Sequence, residues 1–291
     1  LDPWGGGDSY FTYPDPTDAN VIYYENQFGD LNRKNMAARQ TKNIRPRQPR
    51  GEPTLRYNWM TPFVISHHNP WTLYYGANRL FKSVNRGDQW AVISPDLSTQ
   101  PGPEKQGNVP YGTITTIAES TFVPGVLYVG TDDGYVHLTR NDGQTWTRIN
   151  EGLPDKWVSR LEVSPHDKAR VYVSLSGCRE DDCGAYVFSS PDYGKTWISI
   201  GGNLPAESIN VIREDPAVPG LLYVGTDLGV YVSLDRGQKW HSLCNHLPTT
   251  PAYDLFVHSR DHELICGTHG RSVFVLDVKP IQEQAKRETQ T

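Results

Sequence analysis

Short apolar segments recur at a regular interval along the chain and are separated by turn-forming residues. Apolar and polar residues alternate beside these segments, which is the period of half-buried strands. Most copies follow a tight-turn sequence such as Val123–Gly125 or Val218–Gly220. Six copies at intervals of about 45 residues predict a stacked or circular array of β units. The copies are Val21–Tyr24, Leu73–Gly76, Leu127–Gly130, Val171–Ser174, Leu222–Gly225 and Leu264–Gly267.

An octet that ends in tryptophan follows each of the middle four copies. It has Ser or Thr first, Asp or Asn third and Gly fifth. The Asp or Asn side chain can accept backbone N–H groups in a turn, and Gly tolerates a positive φ, so the octet predicts a strand-to-strand turn. The four sets are Ser83, Asn85, Gly87 and Trp90; Thr139, Asn141, Gly143 and Trp146; Ser190, Asp192, Gly194 and Trp197; and Ser233, Asp235, Gly237 and Trp240.

The composition agrees with short strands and many turns. The 291 residues include 26 Gly, 22 Pro and 2 Met, with 8 Trp, 16 Tyr and 8 Phe. A hydrophobic content of 37% and the lack of a long apolar run argue against a membrane-spanning chain. The formal net charge of -5 makes nucleic acid a poor partner.

Positive charge is concentrated between residues 31 and 51, a stretch without an acidic residue. We expect a solvated connecting loop there, and a surface for an anionic partner is the alternative. The cationic residues are Arg33, Lys34, Arg39, Lys42, Arg45, Arg47 and Arg50.

The octets resemble the Asp-box of the BNR and sortilin-type β-propeller families, and the third octet matches that pattern at every specified position. From about residue 10 to 280, the chain is similar to the C-terminal propeller of large secreted bacterial BNR-repeat proteins, often described as glycosyl-hydrolase-like. The resemblance implies an all-β propeller of six or seven four-stranded blades in a single domain, an extracytoplasmic location, and further propeller sequence before Leu1. The blades fall near 8–50, 61–97, 111–154, 157–205, 208–248 and 252–281, and the two ends could jointly form a closing blade.

Carboxylates after two of the apolar phrases are candidates for glycoside hydrolysis. Asp132, Asp133 and Asp227 could supply an acid and a base or nucleophile if two of them lay at a suitable distance. A hairpin turn in which Asp accepts backbone N–H groups is the favoured reading, because the same Thr-Asp chemistry occurs in both blades. The arginine set of the sialidases cannot be assembled, and the xyloglucanases place their carboxylates between two propellers.

Other candidate residues point to binding. Arg56 and Trp59, with Trp71 nearby in sequence, could form an aromatic platform for sugar rings or a peptide. His269 and Arg271 follow the last apolar phrase, where inner loops are expected.

The cysteines and the remaining histidines give weaker signals. Cys178 and Cys183 could close a small disulfide, whereas Cys244 and Cys266 read as buried thiols. No cofactor is expected. No metal site is expected either, because the cysteine spacings do not suit zinc and the adjacent histidines 67 and 68 would point to opposite faces of a strand.

The sequence as a whole favours a non-catalytic propeller scaffold that holds a protein or glycan partner, and one form of this role is a subunit of a larger assembly. A glycoside hydrolase of xyloglucanase type, or part of one, is an alternative. An assembly factor similar to the photosystem II assembly propeller is another. Enzymatic activity is left open at this point, and nucleic acid is not an expected partner.

Overall fold

The computed structural model describes residues 8–48, 50–244 and 247–288. The chain divides into two compact units, unit 1 (Leu1–Ile149) and unit 2 (Asn150–Thr291). The described residues form antiparallel sheets and one short α-helix. The predicted fold class, an all-β propeller with four-stranded blades, is confirmed.

Unit 1 holds three four-stranded antiparallel sheets, each with its strands in chain order or the reverse. Blade 1 consists of β1 (Ser9–Asp15), β2 (Asp18–Asn26), β3 (Asp30–Asn35) and β4 (Gln40–Asn43). Blade 2 consists of β5 (Phe63–Ile65), β6 (Leu73–Gly76), β7 (Leu80–Ser83) and β8 (Ala91–Val92). Blade 3 consists of β9 (Ile114–Glu119), β10 (Leu127–Thr131), β11 (Val136–Thr139) and β12 (Thr147–Arg148).

Unit 2 holds two four-stranded sheets, one three-stranded sheet and the helix. Blade 4 consists of β13 (Trp157–Val163), β14 (Val171–Gly177), β15 (Asp182–Ser190) and β16 (Ile198–Ser199). Blade 5 consists of β17 (Ile209–Glu214), β18 (Leu222–Thr226), β19 (Val230–Ser233) and β20 (His241–Ser242). Blade 6 consists of β21 (Ala252–His258), β22 (Glu263–Thr268) and β23 (Val273–Asp277), and α1 (Lys279–Glu288) follows.

Each recurring apolar phrase forms the second strand of its blade, where it pairs on both sides. In blade 3, Val129 lies between Ile117 on the first strand and His137 on the third. A strand between two others buries both faces, so Leu127, Tyr128 and Val129 are all enclosed. Tyrosines of these strands are among the largest enclosed side chains, namely Tyr23, Tyr74, Tyr75, Tyr128, Tyr172 and Tyr223.

Adjacent blades pack their apolar faces together within each unit. In unit 1, Leu80 of blade 2 shares a core cluster with Ile114 and Val129 of blade 3. In unit 2, Val230 of blade 5 shares one with Leu255 and Cys266 of blade 6. The buried side chains that hold one sheet to the next therefore come from corresponding strand positions.

The expectation that the basic segment is a loop is wrong for part of it. Arg33 and Lys34 lie in β3, and Lys42 lies in the edge strand β4. The segment reads as a loop because its long cationic side chains mask the strand period. Residues 44–48 and 50 do lie outside strands.

Blade 6 departs from the expected four strands, since β23 is its last strand in the described part of the chain. The closing blade predicted from the two ends involves residues 1–7 and 289–291, which lie outside the described residues. The single-domain assignment stays a prediction. Among the described residues, no helix is long and apolar enough to cross a membrane.

Candidate functional site

The four octets form tight turns with a shared hydrogen-bond pattern. In the third, Ser190 Oγ donates to Asp192 Oδ1 at 2.8 Å and accepts the Gly194 N–H at 2.7 Å. Asp192 Oδ1 also accepts the Thr196 N–H at 2.9 Å. The Ser or Thr, the Asn or Asp and the glycine make the corresponding bonds in the other three octets. These side chains are engaged within the turn, and a structural role for them accounts for every bond they make.

Asp132 is buried and holds two approaching segments of unit 1. Its Oδ1 accepts the N–H groups of Gly112 and Thr113 at 2.9 and 2.7 Å. Its Oδ2 accepts the Thr113 hydroxyl at 2.6 Å and Asn58 Nδ2 at 3.2 Å. Burial raises the pKa of Asp132 to about 6, although the Thr113 donors lower it. Both oxygens of this buried carboxyl therefore already accept hydrogen bonds from neighbouring loops.

Asp133 is engaged in the same way by a different loop. Its Oδ2 accepts both the N–H and the hydroxyl of Thr99 at 2.8 Å, and its Oδ1 accepts the Thr131 hydroxyl at 2.6 Å. The pair therefore joins three loops of unit 1 and leaves no carboxylate oxygen facing an open cleft.

Asp227 lies in unit 2, whereas Asp132 and Asp133 lie in unit 1. It follows β18, is half-buried, and its Oδ1 accepts Asn210 Nδ2 at 3.0 Å. The three candidate carboxylates are thus not brought together within either unit.

Arg56, Trp59 and Trp71, which were expected to form an aromatic platform, each contact different residues of unit 1. Arg56 donates to the Gly112 carbonyl at 3.1 Å and to Asp96 at 2.8 Å, so its guanidinium ties loops together. Trp59 makes an edge contact with Phe28 at 4.7 Å between ring centroids. Trp71 is exposed, and the only partner recorded for its ring in the described part of the chain is the Arg86 guanidinium at 5.3 Å.

Unit 2 instead assembles an aromatic cluster from blades 4 and 6, with Asp227 of blade 5 near it. The ring centroids of Tyr253 and His269 lie 5.3 Å apart. The Arg179 guanidinium covers Trp157 at 4.1 Å from the ring centroid. Burial raises the pKa of Tyr253, Asp227 raises it further, and Arg179 lowers it, which places these charges near the phenol.

His269 and Asp227 were expected at this surface from the sequence, whereas Trp157, Arg179 and Tyr253 were missed. Trp157 opens β13 and Tyr253 stands in β21, at strand starts that no octet marks. Their shared place at the start of a first strand is the signal that could have found them. Arg271 is exposed in the turn between β22 and β23, with no recorded bond to the cluster.

A basic groove of about 760 Å³ lies in unit 1 between residues 42–48, which include the end of β4, and blade 2. Its cations are Lys42, Arg45 and Arg47, and its acid is Asp88. Asp88 binds Lys42 at 2.7 Å, and that hydrogen bond is the main cause that lowers the pKa of Asp88. The Arg45 guanidinium stacks over the Tyr57 ring at 3.9 Å. The apolar lining comprises Ile44, Phe81 and Trp90.

Cys178 and Cys183 are exposed free thiols, so the predicted disulfide is not formed in this structure. The strand register explains this. Pairing passes from Leu175–Tyr186 directly to Gly177–Asp182, which leaves Cys183 in an irregular stretch and Cys178 in the connecting turn. The two cysteines are therefore not opposite each other.

Cys244 and Cys266 are also free thiols, the first partly buried and the second buried. Burial raises the pKa of Cys266 to about 11. Among the described residues, no cluster of three or more His, Cys, Asp or Glu side chains could hold a metal ion.

No protein-family model matches the chain. A xyloglucanase of Hypocrea jecorina is 30% identical over 118 residues, which are 40% of this chain and 14% of that protein. A GH74 xyloglucanase of Xanthomonas campestris has a TM-score of 0.65 at 17% identity, over 91% of this chain and 44% of that chain. A structure of YCF48 bound to D1 peptide has a TM-score of 0.57 at 12% identity, over 95% of this chain and 82% of that chain.

These similarities are distant and partial. The chain spans less than half the length of the matched xyloglucanases. The structural matches show the propeller fold alone, since a fold hosts many functions.

Proposed function

We propose that this chain is a non-catalytic propeller that binds an extended acidic segment of a protein partner in the basic groove of unit 1. The observation that carries the proposal is the groove itself. It joins three cationic side chains of residues 42–47 to apolar side chains of the same segment and of blade 2. Peptide recognition of this kind needs charge for attraction and apolar contact for affinity.

The state of the candidate carboxylates supports a non-catalytic role. Asp132 and Asp133 use their oxygens to hold the loops around Thr99, Gly112 and Thr113. A glycoside hydrolase of the two-carboxylate type needs an acid and a base or nucleophile that both face the sugar. Measurable turnover of xyloglucan by the purified chain, lost in Asp132→Ala or Asp133→Ala variants that still fold, would contradict this part of the proposal.

The charges in the groove support an acidic partner. Asp88 neutralises part of the field at Lys42 and Arg33, while Arg45 and Arg47 extend exposed guanidinium groups along the chain beyond β4. Peptide binding by YCF48 is consistent with such a role for a propeller of similar fold. Membership of a larger complex and an extracytoplasmic location belong to the same proposal.

The test is a titration of the chain with a labelled synthetic decapeptide of alternating Glu and Leu, followed by fluorescence anisotropy. We expect saturable binding that weakens by about tenfold in Arg47→Glu and also weakens as salt rises. Arg260→Glu is the matched control, because it makes the same change of charge at an exposed arginine of unit 2. Equal losses in both variants would show that only net charge matters and would contradict a groove site.

Glycan binding is the second candidate, favoured by the aromatic cluster of unit 2 and by the 30% identity to a xyloglucanase. Aromatic faces beside polar groups suit sugar rings. Isothermal titration with xyloglucan oligosaccharides would decide it. Binding abolished by Tyr253→Ala, with the acidic peptide still bound, would establish a separate glycan site. Unchanged binding of xyloglucan oligosaccharides in Tyr253→Ala would exclude the aromatic cluster as the glycan site.

A further inference from the structure

The third strand of blade 6 has an outer edge without a paired strand in the described residues. β23 pairs with β22 on one side, whereas the third strand of every other blade also pairs with a short fourth strand. Those fourth strands are only two residues long in four blades and four residues long in blade 1. An unpaired edge presents N–H and C=O groups that can accept another strand.

The fourth strands of the other blades follow one rule. Directly after the fourth strand, an Ile or Leu donates its N–H to a backbone carbonyl of the third strand. Ile93 bonds Leu80, Ile200 bonds Val187 and Leu243 bonds Val230, at 2.8–2.9 Å. The Ile or Leu also lies in the same core cluster as its partner, as Ile200 does with Val187. Each closing residue thus covers the side chain to which it is hydrogen-bonded.

Val273 occupies the equivalent position in blade 6. It pairs with Gly267 as Val230 pairs with Gly225 and Leu80 with Gly76. Leu80 is 0% exposed and Val230 is 3% exposed, but Val273 is 60% exposed. Val275, two residues further along the same edge, is 58% exposed. Within residues 8–48, 50–244 and 247–288, blade 6 therefore lacks both the strand and the closing side chain found at this position in the other blades.

We propose that the outer edge of β23 binds an extended segment of another polypeptide, which completes blade 6 as its fourth strand. The segment runs antiparallel to β23 and carries the pattern Trp-x-x-Ile or Trp-x-x-Leu. The N–H of its Ile or Leu donates to the Val273 carbonyl, and its side chain covers Val273. This is β-strand addition, in which main-chain bonds give affinity and side-chain cover gives selectivity.

The copies of this pattern among the 291 residues are already in use. The pattern occurs four times, at Trp90–Ile93, Trp146–Ile149, Trp197–Ile200 and Trp240–Leu243. Each copy already supplies the fourth strand of its own blade. The edge of β23 is in unit 2, so this site is independent of the groove in unit 1.

The probe is a labelled synthetic peptide with the sequence of residues 195–202, Lys-Thr-Trp-Ile-Ser-Ile-Gly-Gly. Titrated with the whole chain, it should bind saturably. In an antiparallel pair, residues two apart direct their N–H and C=O groups to the same side, so Val275 points outward like Val273. Val275→Pro removes this outward N–H without removing a bond to β22, and we expect binding weaker by about tenfold.

Two further variants separate the edge from general apolar contact. Val273→Lys should weaken binding by about tenfold, because it places a charge under the closing Ile. Val123→Lys should leave binding unchanged, since Val123 is an exposed apolar residue in a turn of unit 1. A peptide N-methylated at its second Ile lacks the N–H that would donate to the Val273 carbonyl, so it should not bind. This control alters the peptide and leaves the protein unchanged.

The proposal is overturned if the parent peptide shows no saturable binding or if the N-methylated peptide binds equally well. It is also overturned if the edge pairs with a second copy of the chain, which sedimentation velocity would reveal as a dimer that Val275→Pro dissociates. An Arg47→Glu variant that binds the acidic decapeptide less well in the groove should still bind the 195–202 peptide at β23. The two proposed sites can therefore fail separately.

Discussion

The indole Nε1 of Trp240 in blade 5 donates a hydrogen bond of 2.7 Å to the carbonyl oxygen of Ile200 in blade 4. Trp90 makes the same bond to Ile44, and Trp146 makes it to Ile93. Each bond joins the octet of one blade to the residue that closes the fourth strand of the preceding blade. The octet is therefore both a turn and a link between neighbouring sheets.

We expect Trp240→Phe to lower the free energy of unfolding by about 1–2 kcal/mol, because it leaves the Ile200 carbonyl without this donor. Trp240→Ala should cost about 4 kcal/mol, since it also empties a buried site. Urea unfolding followed by circular dichroism would measure both. The exposed Trp71 provides the control, and Trp71→Ala should change stability by about 0.5 kcal/mol or less. Equal effects at the two tryptophans would contradict a link role.

Gly237 should tolerate alanine worse than Gly152, although both have a φ of +87°. A Cβ on Gly237 would lie 2.7 Å from Ile200 Cβ, whereas nothing lies within 4 Å of one on Gly152. Gly152→Ala should cost about 1 kcal/mol for the left-handed backbone alone. Gly237→Ala should cost about 3 kcal/mol because a steric clash is added. Thermal unfolding of the two variants checks the difference, and equal melting temperatures would show that Ile200 moves aside freely.

Asp132→Ala should lower the free energy of unfolding by about 3 kcal/mol, because buried donors of Gly112, Thr113 and Asn58 lose their acceptor. Asp155 is exposed in a turn, and Asp155→Ala should have almost no effect. Chemical unfolding of both variants tests the structural assignment. A stable Asp132→Ala chain would return this carboxyl to the list of functional candidates.

Glu25 makes the stability of the chain depend on pH. Its Oε1 accepts the N–H groups of Gly29 and Thr61, and burial raises the pKa of Glu25 to about 9. The folded state thus prefers the protonated acid more than the unfolded state does. This contribution to stability is fully present below pH 4.5, the ordinary pKa, and is lost as the pH rises through about 9.

Glu25→Gln keeps an acceptor oxygen and removes the titration. We expect it to be more stable than the parent chain at pH 9 and similar to it at pH 5. Urea midpoints at pH 5, 7 and 9 would measure the effect, with Glu151→Gln, at an exposed position, as the control. Parallel pH profiles for the parent and Glu25→Gln would contradict the assignment.

The repeat of blades was predictable because it depends on local sequence. The apolar phrase at Leu127–Gly130 and the alternating residues beside it indicate strands, and the octet at Ser190–Trp197 forms a turn through bonds between near neighbours. Asp132 does accept backbone N–H groups, but from Gly112 and Thr113 on another loop and not from its own hairpin, and nothing in the sequence indicates that Asn58 is a donor to it. That contact joins residues 74 positions apart.

The binding surfaces were harder to predict because their residues are distant in sequence. Trp157 and Tyr253 lie in different blades, and only the folded unit brings Arg179 and His269 beside them. The expected platform of Arg56, Trp59 and Trp71 fails for the same reason. Nearness in sequence does not determine which face of a strand or loop a side chain occupies.

The enclosed tyrosines of the second strands give the molecule two populations of phenols. Burial raises the pKa of Tyr23, Tyr74, Tyr75, Tyr172 and Tyr223 above the ordinary value of 10.0. Alkaline difference absorbance should therefore show a reversible first step from exposed phenols, then a second step that coincides with the loss of sheet structure. The second step would serve as an intrinsic, label-free signal for the integrity of the blades.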